Sequence, residues 1–99
     1  MTSNRTRISG RIADKDSLRH TPAGVPVLTF TLVHRSEQPA GVGKRKVECV
    51  IPAVAFEALA ETIARWPRDA QVEVEGYLAR KSRTEAQLTL YVQTIELTE

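Results

Sequence analysis

The side chains with the clearest chemical potential in this sequence are cations grouped at two places. Three consecutive cations occupy residues 44–46, and three more fall within residues 80–83. Exposed lysine and arginine side chains bind phosphate groups through charge and counterion release, without reading a base sequence. For any single cation, an ordinary solvated surface is the alternative. Both clusters together favour a nucleic-acid partner. The candidate phosphate-binding cations are Arg19, Arg35, Lys44, Arg45, Lys46, Arg80, Lys81 and Arg83.

The overall charge is small, so its distribution matters more than its sum. The 99 residues include 14 Lys and Arg and 12 Asp and Glu, which gives a formal net charge of +2. Such a balance permits a nucleic-acid partner without arguing for one. Much of the acid falls on other segments, namely at Glu57, Glu61, Glu73, Glu75, Glu96 and Glu99. This segregation predicts a basic face.

Aromatic rings beside such a face would add stacking with nucleobases. Phe30, Phe56 and Trp66 fall on apolar patterns that predict burial in the core. Tyr77 and Tyr91 fall on the polar phase of their segments. Tyr91 is therefore the preferred stacking residue, and a ring packed in a subunit interface is the alternative for it.

The residues that most often carry catalysis are poorly arranged here. His20 and His34 have no Cys or carboxylate at the spacing of metal ligands, and a structural role is expected for His34. Asp14 and Asp16 lie in a polar segment as solvated charges. Cys49, the single cysteine, alternates with apolar residues as a core side chain does and excludes an internal disulfide. We expect a binding protein without cofactor or metal, not an enzyme.

The element that organises these side chains is the segment 24–36, which begins with Gly and Pro and continues with Val, Thr, Phe and Leu. These residue types favour a pleated, half-buried strand. Leu28, Phe30 and Leu32 share one face by period-two alternation, and the other face ends in Arg35. The pattern predicts a long strand with the core on one side and a ligand-accessible surface on the other.

The same period predicts four further strands. Gly10 marks a bulge or sharp bend in the first strand, the composition of 37–43 predicts a loop, and Pro52 is expected to end the third strand. Apolar residues at three- and four-residue steps predict one amphipathic helix over 54–65, which Pro67 ends. The predicted strands cover 6–13, 26–36, 44–51, 71–80 and 87–97.

The element order is typical of one architecture. An all-β, five-stranded OB-fold (Greek-key) barrel with one short helix between strands 3 and 4 has this order. Closing the sheet would also protect its edges, and the helix would plug one end of the barrel. A flat sheet crossed by a helix is the structural alternative. We expect residues 1–99 to form a single domain of this kind.

The sequence also bears on location. No segment approaches the ~20 apolar residues of a membrane helix. The first residues are polar and basic without the apolar segment of a secretory signal. A cytoplasmic protein without a membrane partner is therefore expected.

Several short motifs together resemble a known family. The sequence is similar to bacterial single-stranded-DNA-binding proteins, and more closely to the primosomal replication protein N (PriB) family, over nearly its whole length. The motifs that carry this resemblance are Gly24-Val25-Pro26, Phe30, Leu32-Val33-His34-Arg35-Ser36, Cys49-Val50-Ile51-Pro52, Val74-Glu75-Gly76-Tyr77 and Gln93-Thr94-Ile95-Glu96-Leu97.

The resemblance implies an OB-fold homodimer that binds single-stranded DNA and helps restart stalled replication forks. It implies that the protein joins DNA to the restart helicase PriA, with a handover to the helicase-loading partner. For the dimer, we expect part of 6–13 or 26–35 to pair across a two-fold axis.

The resemblance also bears on the site residues. Family members use basic residues in the loop between the last two strands, which correspond here to Lys81 and Arg83, and aromatic residues around the start of the third strand. At that second place this sequence offers Val42, Gly43, Val47 and Glu48. DNA affinity is therefore expected to be weaker or to rest more on charge. The alternative function is an OB-fold protein-interaction module with little DNA affinity.

Overall fold

The computed structural model describes residues 2–98. It has five long strands and one helix in the predicted order, together with one two-residue strand that the sequence did not predict. The elements are β1 (Thr6–Lys15), β2 (Arg19–His20), β3 (Pro26–Ala40), β4 (Gly43–Phe56), α1 (Glu57–Arg65), β5 (Gln71–Ala79) and β6 (Thr89–Leu97).

The five long strands close into a barrel. The sheet runs in the order β1-β5-β6-β4-β3-β2, and an additional pairing between β1 and β3 completes the ring. All pairings are antiparallel except β4–β6, which is parallel. The predicted all-β OB-fold barrel, with its helix between the third and fourth long strands, is confirmed, and the flat-sheet alternative is wrong.

β1 closes the barrel because it changes partner along its length. Residues Thr6–Arg11 pair with β5, and Arg11–Lys15 pair with β3. Gly10 lies just before this change, and a Cβ there would be 2.5 Å from the carbonyl oxygen of Val33. The bulge or bend predicted at Gly10 is not located there, because the register of the β1–β3 pairing shifts two residues further on, between Ile12 and Asp14. Gly10 itself permits the close approach of two backbones.

The core fills the barrel as the alternation predicted. Leu28, Phe30 and Leu32 point inward and are at most 4% exposed. Ile63 from α1 is fully buried in the same cluster, and Trp66 packs against it. Covering one end of the barrel with α1 completes a continuous apolar core, which is the main source of stability for a domain of this size.

Two predicted boundaries on the β3–β4 hairpin are wrong. The segment 37–43 is not a loop, because pairing continues from Val27↔Phe56 to Ala40↔Gly43 and only the tip turns, with Gly41 at φ 63°. Pro52 does not end its strand but pairs with Thr31 inside β4. Proline has no amide hydrogen, so it is tolerated where a strand is paired on one side only. Within residues 2–98, β4 pairs with β6 only at Ala53 and Val54, so Pro52 has β3 as its one neighbouring strand.

The helix starts later than predicted. Residues 54–56 complete β4, so α1 begins at Glu57 instead of residue 54. Pairing of Phe56 with Val27 keeps this stretch extended, because strand hydrogen bonds made across the hairpin outweigh helical propensity. The predicted end before Pro67 is confirmed, with α1 ending at Arg65. Within the described residues, no helix is long and apolar enough to cross a membrane.

Candidate nucleic-acid interface

The surface that gathers most candidate cations is the outer side of the β3–β4 hairpin. Directly opposed residues of an antiparallel pair point to the same side of the sheet, and alternate residues share that side. We call this surface the outer face of β3–β4. Its paired residues are Val27 and Phe56, Thr29 and Val54, Thr31 and Pro52, Val33 and Val50, Arg35 and Glu48, Glu37 and Lys46, and Pro39 and Lys44.

Arg35 lies on this face with its charge already balanced. Its Nε atom is 3.0 Å from Oε2 of Glu48, the residue directly opposite on β4. Both side chains are largely exposed, so water and salt screen the pair and it contributes little to stability. Arg35 can still bind a phosphate, but only in competition with Glu48.

The cluster at 44–46 is divided between two surfaces. It lies on the part of the hairpin that extends past β1, residues 34–49, which we call the ribbon. Lys44 and Lys46 are on the outer face of β3–β4, whereas Arg45 is on the other side of the ribbon. Lys46 also stands opposite Glu37. The three consecutive cations therefore do not form one patch.

The loop between β5 and β6 brings a cation back over the hairpin. Lys81 lines a shallow cavity of about 180 Å³ together with Thr29, Thr31 and Pro52 of the outer face. Asp16 also lines this cavity and accepts a hydrogen bond from the Thr29 hydroxyl at 2.5 Å. Lys81 thus reaches the same surface as Arg35 from a distant part of the sequence.

The other two loop cations have different positions. Arg80 donates a hydrogen bond from Nη1 to the carbonyl oxygen of Arg83 at 3.1 Å, which holds the loop in a compact turn. Arg83 is exposed in that loop. Arg80 is committed to shaping the loop, and Arg83 is accessible near Lys81.

Arg19 joins the outer face through β2. It pairs with Val27, which in turn pairs with Phe56, so the three side chains are on one side of the sheet. The structure therefore brings five of the eight candidate cations to the outer face of β3–β4 or its margin, three of them on the ribbon. These are Arg19, Arg35, Lys44, Lys46 and Lys81.

The basic residues of the first strand lie on a different wall. Arg7 is paired with Glu73 at 3.1 Å, and Arg11 with Asp69 at 2.7 Å. The hydrogen bonds that Arg7 donates to Glu73, together with the negative charge of Glu73, raise the pKa of Arg7 above the usual arginine value. These pairs make the β1–β5 wall nearly balanced in charge, which leaves the outer face of β3–β4 as the more basic side.

The aromatic residues show the largest departure from the sequence prediction. Phe56 was expected in the core, but it is 40% exposed because it belongs to the outer phase of β4 and not to the helix. It stacks on Tyr91 with ring centroids 6.4 Å apart, and Tyr91 stacks on Tyr77 at 5.2 Å. In the sequence, Val54 and Phe56 alternate with Ala53 and Ala55, and this period of two could have indicated that Phe56 belongs to a strand.

His34 has the structural role that was expected. Its Nδ1 is 2.7 Å from the carbonyl oxygen of Ser9, and its Nε2 is 2.8 Å from the hydroxyl of Ser36. These contacts link β1 to β3 where the ribbon leaves the barrel. Cys49, directly opposite His34, is only half-buried because the ribbon has no second layer there.

The fold and the cationic wall define a class, the OB-fold proteins of the single-strand binding type. The sequence profile of a family described as "Another single-strand binding protein family" matches residues 4–94. A solved single-stranded DNA binding protein from Thermus aquaticus, a deletion mutant, has the same fold with a TM-score of 0.78 and 20% identity. The superposition covers 98% of this chain and 51% of the Thermus aquaticus chain.

Closer relatives narrow this class. Replication restart protein PriB of Bordetella pertussis is 37% identical over 90 residues, which cover 91% of this chain and 84% of the relative. PriB of Nitrosomonas europaea is 39% identical, covering 91% and 83%. The solved PriB of Ralstonia solanacearum superposes with a TM-score of 0.89 at 24% identity, over 99% of this chain and 100% of that one. This chain belongs to the PriB family.

Proposed function

We propose that this protein is a single-stranded DNA-binding accessory of the replication-restart primosome that bridges single-stranded DNA and the restart helicase. Membership of the PriB family supports the setting. The observation that carries the proposal is the placement of Lys81 over the outer face of β3–β4. With Lys81 beside this face, cations from four separate segments are available to a phosphate backbone on one side of the molecule.

Binding in this proposal is mainly electrostatic. The wall offers cations along its length, whereas the ribbon has no aromatic side chain between residues 42 and 48. Each phosphate neutralised by a lysine or arginine releases counterions, so affinity falls as salt rises. Of the site residues proposed from the sequence, we keep Arg19, Arg35, Lys44, Lys46, Lys81, Arg83 and Tyr91. Arg45 lies on the other side of the ribbon and Arg80 holds the β5–β6 loop, so neither belongs to the proposed phosphate-binding surface.

The loop cations provide the direct test. The double variant Lys81→Ala with Arg83→Ala should weaken oligonucleotide binding and lower the slope of log Kd against log salt by about 1.4, or about 0.7 per lost contact. Its melting temperature should not change, because both side chains are exposed or line only a shallow cavity. The matched control is Arg65→Ala on α1, an exposed cation outside the wall. Unchanged DNA binding in the double variant would remove this loop from the site.

A second candidate function is a protein-interaction module that uses the same wall. Carboxylates within the wall favour it, since Glu48 neutralises Arg35 and Asp16 lies in the cavity with Lys81. A protein partner can match such mixed charge more readily than a polyanion can. Absence of oligonucleotide binding at low salt, together with binding to the restart helicase PriA or the helicase-loading partner, would favour this second function.

We propose that the protein works as a homodimer formed through β1. Residues 6–10 pair with β5 on one edge, and β3 joins the other edge from Arg11 onward. The open edge is suited to pairing with a second β1 across a two-fold axis. The alternative segment, 26–35, is less suitable because β3 is flanked by β4 and β1 over much of it.

Sedimentation at micromolar concentration tests the dimer. The expected mass is twice the 11.0 kDa of the protomer. Replacing Arg7, whose amide points away from β5, with Pro should yield protomers, provided that circular dichroism shows an intact barrel. A single species at 11.0 kDa for the unmodified protein would contradict the proposal.

A further inference from the structure

Three aromatic side chains form a continuous row across the barrel surface. Tyr77 lies on β5, Tyr91 on β6 and Phe56 on β4, which are adjacent strands. The planes of Tyr77 and Tyr91 differ by 2°, and those of Tyr91 and Phe56 by 14°. We call these three residues the aromatic row. Because they stand on neighbouring strands, the sheet itself holds the rings parallel.

The row remains accessible at both ends. Phe56 is 40% exposed and Tyr77 is 37% exposed. Aromatic side chains whose role is only to fill the core are normally buried, as Phe30 is at 4%. The outward position of the row therefore leaves aromatic surface exposed to solvent, which favours a ligand with flat, apolar faces.

The strand pairing continues the row toward a cation. Phe56 pairs with Val27 on β3, and Val27 pairs with Arg19 on β2, all on the same side of the sheet. Arg19 is exposed. The order across the sheet is thus three rings, one small apolar side chain and one guanidinium, which suits a ligand with planar apolar groups joined to an anion.

We propose that the aromatic row binds unpaired nucleobases and that Arg19 contacts the phosphate next to the base nearest Phe56. A base stacks on the open face of a terminal ring in the same parallel arrangement that the rings already have. This rests on the proposed function, and it adds Phe56 and Tyr77 to the DNA-contacting residues. It also assigns base contact to the β4–β6–β5 surface, while phosphate contact extends along the outer face of β3–β4.

The cationic surroundings favour a nucleic acid over an apolar peptide. Arg19 lies at one end of the row, separated from Phe56 by Val27. Lys81 lines a cavity with Ala53, which is next in sequence to Val54, the partner of Tyr91 across β4 and β6. A peptide helix would need a broad apolar groove, whereas the row is one ring wide. A protein partner on this surface is an outcome that the test below detects.

The test compares a normal oligothymidine with one of equal length that carries abasic sites. For the unmodified protein, the normal strand should bind roughly 5- to 140-fold more tightly for each stacked base, since such a base contributes about 1–3 kcal/mol. Phe56→Leu and Tyr77→Leu should each weaken binding of the normal strand by a similar factor and leave the abasic strand little affected. The slope of log Kd against log salt should stay the same, because no phosphate contact is lost.

The control is Leu97→Ala, which removes an exposed apolar side chain at the other end of β6. It should leave binding of both strands unchanged. If a leucine variant fails to fold, ultraviolet cross-linking of the normal strand to the unmodified protein replaces it. Cross-links at Phe56, Tyr77 or Tyr91 support the proposal, and cross-links confined to other residues overturn it.

The outcomes separate this inference from the proposed function. Equal binding of both strands, with a loss only in the Lys81→Ala, Arg83→Ala variant, overturns base stacking and keeps DNA binding. If the unmodified protein binds neither strand, both the proposed DNA-binding function and base stacking on the aromatic row are refuted. In that case, loss of PriA binding in Phe56→Leu would assign the row to a protein partner.

Discussion

At the scale of single residues, Lys15 connects the barrel wall to the helix that closes it. Its Nζ atom donates hydrogen bonds to the carbonyl oxygens of Ile63 at 3.1 Å and Trp66 at 2.5 Å. These carbonyls lie at the C-terminal end of α1, where hydrogen-bond partners within the helix run out and a positive charge is favourable. Lys15 therefore holds the C-terminal end of α1 against β1.

Lys15→Met should destabilise the protein by about 1–3 kcal/mol, because the helix-end carbonyls lose a charged donor while the apolar stem is kept. Urea unfolding followed by circular dichroism measures this change. Lys44→Met on the exposed ribbon is the control and should change stability by less than about 0.5 kcal/mol. Equal effects of the two substitutions would show that the contacts of Lys15 do not stabilise the fold.

Gly76 allows β5 and β6 to come close beside the aromatic row. A Cβ at this position would be 2.0 Å from the carbonyl oxygen of Tyr91, which is backbone and cannot rotate away. The bulge between Glu75 and Gly76 is located at the same point. The stacking of Tyr77 on Tyr91 thus depends on a missing side chain at the neighbouring residue.

Gly76→Ala should destabilise the protein by about 1–3 kcal/mol, as expected when a methyl group is forced against fixed atoms. It should also weaken DNA binding, since the strands that carry the row must separate. Gly43→Ala is the matched control, because a Cβ there meets nothing within 4 Å. Thermal unfolding of both variants measures the difference, and a Gly76→Ala protein as stable as the control would refute the close approach.

At the scale of elements, the β3–β4 hairpin combines two kinds of structure. Its base, around Leu28 and Leu32, is a wall of the barrel with a fully buried inner face. The ribbon, residues 34–49, extends beyond β1, and most of its side chains are exposed or half-buried. A two-stranded ribbon without a second layer is only marginally stable by itself. We expect the ribbon to be held chiefly by continuity with the barrel.

Hydrogen exchange should therefore divide the hairpin into two zones. Amides of the ribbon tip, residues 37–46, should exchange much faster than those of Leu28, Phe30 and Leu32, because local opening of the tip exposes little apolar surface. Mass spectrometry or NMR can resolve the two zones. Uniform protection along the hairpin of the unmodified protein would contradict this, and would indicate that a second layer covers the ribbon.

The sequence predicted elements well where alternation and burial coincided. The alternation of Leu28, Phe30 and Leu32 correctly identified the inner face of β3. The same alternation in the other four predicted strands made a closed five-stranded barrel the expected architecture. Prediction failed where one residue type suits two structures. Glycine and proline at 37–43 suggested a loop, yet the long cross-strand ladder extends the strands to the tip. Phe56 fitted a helical spacing, but pairing with Val27 makes it a strand residue.

The candidate site was only partly predictable for the same reason. Residue types identified cations, but their grouping depends on strand pairing between distant segments. Consecutive Lys44 and Arg45 point to opposite sides of the ribbon, whereas Lys81 reaches Thr31 from fifty residues away in the chain. The stacking of Phe56 on Tyr91 likewise arises from the parallel pairing of β4 with β6. Spacing along the sequence carries no information about either.

At the scale of the whole molecule, the balance of charge differs between two sides, the β1–β5 wall and the outer face of β3–β4. The β1–β5 wall matches its arginines with acids, as in the pair of Arg7 with Glu73. The outer face of β3–β4 holds cations from four segments, together with a smaller number of carboxylates such as Glu48. A small net charge of +2 thus coexists with one side suited to a polyanion. Its affinity for DNA should depend steeply on salt.

The most direct measurement is the affinity of the unmodified protein for a labelled oligothymidine as salt is varied. With three or more phosphate contacts, raising salt from about 50 to about 200 mM should weaken binding at least about tenfold. The Lys81→Ala, Arg83→Ala variant should show a shallower dependence. Binding that is equally tight at both salt concentrations, or absent at the lower one, would contradict the account of a phosphate-binding wall.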